Sequence, residues 1–137
     1  MVYLLDYLQV LQNRAARAVT RNGWRTPRHY LLLQCGWLSV HQLVIYHSLV
    51  LVFQIKQKER PRYFRNHFSA GFPYRTRLAT SEGIRRREHC QHKVTQESFV
   101  QRSSSSWNML PVSVRNARTH QQFKNRLKSW IRDNVPL

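Results

Sequence analysis

A mainly α-helical fold, with four to five helices around a central buried helix and a long irregular basic segment, follows from three observations. Apolar residues recur at steps of three and four between Val2 and Thr20, and again between Phe123 and Ile131. Ser39 followed by Gln42, and Thr119 followed by Gln122, have the spacing of a helix-opening capping box. The run from Val40 to Phe53 has almost no polar face, as expected for a helix buried on all sides.

The first element is an amphipathic helix over Val2 to Thr20. Leu4, Leu8, Leu11, Ala15 and Ala18 share one face, Arg14, Arg17 and Arg21 flank it, and Asn22-Gly23 is the expected stop. A short second helix follows Thr26-Pro27, where Thr is expected to cap the free amides and Pro to fit the first turn. It carries Tyr30, Leu31 and Leu32 and ends before Gly36. The central helix opens at Ser39 and ends before Pro61. Its β-branched residues leave a strand for part of it as an open alternative. Its most apolar run, Leu43 to Phe53, is broken by His47 and Ser48 and is far shorter than the ~20 residues a membrane span needs. Arg62 to Glu97 shows no period and reads as loop or extended chain. Ser98 to Trp107 reads as a short helix or packed turn, and Pro111 to Arg115 as one helical turn. The last helix opens at Thr119 with Phe123, Leu127, Trp130 and Ile131 on one side, and Pro136 closes it. The chain divides into a helical part over 1–60, a basic segment over 61–97 and a second helical part over 98–137, together one domain.

Charge dominates the composition. The 137 residues hold 23 Lys and Arg against 6 acids, a formal charge of +17. That imbalance favours polyanionic partners, nucleic acid first, and opposes compaction through self-repulsion. The cations fall into ridges and runs: Arg14, Arg17 and Arg21; Lys56, Lys58, Arg60, Arg62 and Arg65; Arg75 and Arg77; Arg85, Arg86 and Arg87; and Lys124, Lys128 and Arg132 at steps of four. Tyr63, Phe64, Phe68, Phe72 and Tyr74 are interleaved with cations, a pattern suited either to stacking unpaired bases or to docking on a core. Arg85-Arg86-Arg87 also has the character of a weak nuclear-import signal.

Other chemistry is poorly supplied. Cys35 and Cys90 give no disulfide framework and read as reduced thiols. Glu88-His89-Cys90-Gln91-His92, with Cys35 or His29, offers donors that zinc accepts, but the paired spacings of zinc modules are absent, so no metal or cofactor is expected. Asp6, Glu59, Glu82, Glu88, Glu97 and Asp133 are scattered, and there is no aromatic-x-Asp-Asp element, so no enzymatic activity is expected. No leader opens the chain and no membrane partner is expected, which points to a nuclear or cytoplasmic setting rather than secretion.

An ordered set of short pieces adds a setting. Leu11-Gln12-Asn13-Arg14-Ala15-Ala16-Arg17, Gly36-Trp37-Leu38-Ser39-Val40, Thr76-Arg77, Trp107-Asn108-Met109-Leu110-Pro111, Val114-Arg115-Asn116-Ala117 and Phe123-Lys124 span most of the chain. Together they resemble the C-terminal region of reverse transcriptases from jockey-like non-LTR (LINE-type) retrotransposons. The resemblance implies a helix-rich region that follows the polymerase palm and thumb and holds element RNA or target DNA. It carries no catalytic residue onto this chain. The start of the central helix, His41-Gln42-Leu43, departs from the more basic start common in such proteins. Three expectations compete: a non-catalytic nucleic-acid-binding fragment of an RNA-directed DNA polymerase; an inert or partly folded remnant of such an element; and a helical module that docks on a polymerase domain absent from this chain.

Overall fold

The computed structural model describes residues 2–58, 61, 63, 64, 68, 83, 84 and 98–136. Among these the protein is all helix: α1 (Val2–Thr20), α2 (Arg28–Cys35), α3 (Val40–Lys58), α4 (Phe99–Met109), α5 (Val112–Arg115) and α6 (His120–Asn134). The described residues contain no strand, so the strand alternative for the central run is set aside, and α3 contacts several helices. The irregular segment expected over 62–97 lies almost wholly outside the described residues.

Local signals explain the helix ends. The Ser39 amide donates to Gln42 Oε1 at 3.0 Å, and the Gln42 amide donates to Ser39 Oγ at 3.3 Å, a complete capping box at the head of α3. Ser98 Oγ caps α4 by accepting from the Gln101 amide. At α6 the box is displaced by one residue: Thr119 Oγ1 accepts from the Gln122 amide, while Gln122 Oε1 accepts from the Arg118 amide. Gly36 closes α2 at φ 67°, a left-handed conformation open to glycine, with its amide bonded to the Leu33 carbonyl and the Trp37 amide to the Leu32 carbonyl.

Two expected signals act differently. Pro27, not Thr26, is the N-cap of α2, and no side chain caps its amides. α1 stops because Arg21 turns left-handed at φ 55°, whereas Gly23 has no left-handed backbone and open space around it.

The chain forms two compact units. The first comprises Met1–Val44 and Trp130–Leu137. Here α1 packs on α2 through Ala16, with Leu31 and Leu32 fully buried. Much of the joining is polar. Gln9 Oε1 accepts from the Val40 amide, Gln12 Nε2 donates to the Leu38 carbonyl, and the buried Gln42 donates to the Val135 carbonyl at 2.7 Å. Buried polar groups are tolerated when so bonded.

The second unit, Ile45–Ser129, is an aromatic and aliphatic core. Phe53 on α3 stacks on Phe123 of α6, with centroids 4.1 Å apart and an interplanar angle of 6°, and Trp107 of α4 closes on Phe123 at 5.8 Å. Leu49, Val52, Leu110 and Leu127 complete it. Asn108 reaches the chain at Ile84, accepting from its amide and donating to its carbonyl, both at 2.8 Å.

Candidate nucleic-acid interface

In the first unit the three arginines of α1 are not equivalent. Arg14 and Arg21 are exposed. Arg17 is half-buried: one Nη donates to the Thr26 carbonyl at 3.4 Å, and its Nε is buried without a hydrogen-bond partner among the described residues. Its place on the flank of α1 predicts full exposure to solvent. Instead, the short connection from Arg21 to Pro27 folds back over α1 and draws the guanidinium in as a strut. Arg132, at the end of α6, is exposed and donates to the Gly36 carbonyl at 2.7 Å.

The expected apolar face of α1 is corrected by the structure. Leu4, Leu8 and Leu11 are 61 %, 41 % and 40 % exposed, and Ala15 and Ala18 are also exposed. The inward face carries Leu5, Gln9, Gln12, Ala16 and Thr20. The glutamines satisfy backbone groups at Leu38 and Val40, so α1 docks by hydrogen bonds as well as through Ala16 and leaves Leu4, Leu8 and Leu11 outward.

Between α1 and α2 the Thr26 amide donates to the Gly23 carbonyl at 3.1 Å, a turn with Trp24 and Arg25 at its corners. Trp24 is 78 % exposed, and the Arg25 guanidinium lies 5.0 Å from its ring centroid. Neither residue stands out in the sequence, where Asn22-Gly23 reads only as a stop and Thr26-Pro27 only as a start. A tryptophan and an arginine between two such turn signals is the cue that could have found them.

In the second unit Lys124 is half-buried and Lys128 exposed, one turn apart on α6. Lys56 is half-buried with its ammonium 5.2 Å from the Trp107 centroid, where its charge supports the core through a cation–π contact. Phe68 is buried and Phe64 half-buried; both pack with Phe99, at 6.1 and 5.6 Å, so these two rings serve packing rather than base stacking. Tyr63 is exposed. Lys58 ends α3. Arg60, Arg62, Arg65, Phe72, Tyr74, Arg75, Arg77, Arg85, Arg86 and Arg87 lie outside the described residues, as does the stretch from His89 to His92.

Among the described residues no three of His, Cys, Asp and Glu come together as a metal site. Cys35 is a half-buried free thiol. Burial pushes the Tyr46 phenol above its usual value. No single helix among the described residues is long and apolar enough to cross a membrane. What the described surface offers is dispersed cations and exposed aromatic rings, groups that bind phosphate and stack on bases. Comparison of the chain with protein families, with curated proteins and with solved structures finds no match.

Proposed function

We propose that this chain is a non-catalytic nucleic-acid-binding segment akin to the C-terminal region of non-LTR retrotransposon reverse transcriptases, and that it holds RNA or DNA for a polymerase centre it does not itself contain. One observation carries the reading: a formal charge of +17 on 137 residues, with Arg14, Arg21 and Lys128 exposed on helices that are packed through other faces. Each cation that meets a phosphate releases condensed counterions, so affinity is high at low salt and falls steeply as salt rises. Substituting Gln for Arg14, Arg21 and Lys128 together should weaken binding to a labelled RNA hairpin and flatten the salt slope by roughly one unit for each phosphate partner removed. An unchanged slope would remove these residues from the interface.

A second reading has its own support. The outward leucines of α1 form an apolar stripe of the kind that marks a docking surface. On this reading α1 seats the segment on the polymerase domain while the cations face nucleic acid. On α1 the two readings share the exposed side, since Arg14 lies one turn from Leu11 at the edge of the leucine stripe. Phe123 and Leu127 of α6 are fully buried in the second unit and are not available for such docking.

A further inference from the structure

We infer that the Gly23–Thr26 turn is a stacking platform for an unpaired base of single-stranded nucleic acid, with Trp24 as the platform and Arg25 as the cation that meets the adjoining phosphate. The inference rests on the nucleic-acid reading and goes beyond it by naming a strand type and a residue.

Tryptophan is a highly buried residue type on average, and Trp107 is buried as expected. Trp24 stands almost wholly in solvent. Its place there is built rather than left to a slack loop. The turn is closed by the Thr26 amide, tied to α1 by Arg17 at the Thr26 carbonyl, and tied to α2 by Asn22 Nδ2 at Gln34 Oε1, 2.8 Å. One bond within the turn and two to the flanking helices hold the backbone that carries the ring. They also explain why Arg17 gives up solvent: it fixes the turn.

The Arg25 guanidinium lies over the indole, polarising it and placing positive charge beside it. Exposed Arg21 adds a second cation just before the turn. A flat exposed ring with a cation over one side suits a base and its phosphate, and holding the turn that carries the ring in place beforehand lowers the ordering cost of binding. A duplex keeps its bases stacked on one another and has no free base face to offer. The platform therefore selects unpaired strand, in a loop, a bulge or an end.

The test titrates the full chain with a labelled oligouridylate and with a duplex of equal phosphate count, for the native protein and for Trp24→Ala and Trp24→Phe. Trp24→Ala should weaken single-strand binding about tenfold, in the range of one base stack, and leave duplex binding and both salt slopes unchanged. Trp24→Phe should recover most of the loss, which a merely structural role for the indole would not produce. Equal weakening toward both ligands, or none, would overturn the platform while leaving the charge-based reading intact. Failure of the native chain to bind either ligand would overturn both.

Discussion

Replacing Gln42 by Ala removes two hydrogen bonds at once: the one its Oε1 accepts from the Ser39 amide, and the 2.7 Å bond its Nε2 donates to the Val135 carbonyl; the bond from the Gln42 amide to Ser39 Oγ remains. Because Gln42 is buried, the groups it leaves behind are cut off from water, and the loss should be about 1–3 kcal/mol in urea denaturation. Gln42→Glu should cost at least as much, since it keeps the acceptor for the Ser39 amide but sets a carboxylate against the Val135 oxygen. Phe123→Ala strips the stack on Phe53 and Trp107 and should cost about 3–5 kcal/mol, enough to unfold much of a marginally stable chain. Leu8→Gln, on the exposed stripe of α1, should change stability by about 0.5 kcal/mol or less. A large loss there would mean that the outward stripe is already covered, contrary to its exposure in the structure. The roles of Arg17 and Lys56 were not legible in the sequence, because spacing places a charge on a helix flank but does not say what loop or ring will close over it.

At the scale of elements, helix limits were the most legible feature, since caps are local chemistry. The run from Val2 to Thr20 and the boxes at Ser39 and Thr119 place their helices within a residue of where they lie. The central helix was legible as a helix but not in its burial: Val44 is 40 % exposed and His41 and His47 are exposed, so α3 has a solvent-facing side that an almost wholly apolar run does not announce. The Phe123, Leu127 and Ile131 face of the last helix was legible because apolar periodicity there coincides with burial. In α1 it does not. The joining face is polar, and a pattern of apolar residues cannot register that Gln9 and Gln12 will find the chain at Val40 and Leu38. Asn22-Gly23 reads as the stop after α1, but a non-glycine residue, Arg21, takes the left-handed position and bears its cost. Gly36→Ala tests the other cap. A Cβ there would meet only Arg132 at an ordinary 3.7 Å, so the expected loss of about 1 kcal/mol in thermal unfolding comes from the left-handed backbone alone. No loss would mean that α2 ends in another conformation.

For the whole molecule, net charge sets opposite salt dependences for folding and for binding. Self-repulsion among 23 cations is screened by salt, so the melting temperature should rise between low and physiological ionic strength, and rise further with a polyanion. Affinity for nucleic acid should fall over the same range. A melting temperature indifferent to salt would mean that the cations are spaced or paired so as not to repel. The most direct test of nucleic-acid binding as the role of this chain is a titration with an RNA hairpin and a mixed-sequence DNA duplex across a salt series. A shaped surface with a base platform predicts that the hairpin keeps its preference as salt rises, because stacking is not screened. If both ligands lose affinity together along one steep slope, the chain is acting only as a polycation, and the shaped-interface reading is contradicted.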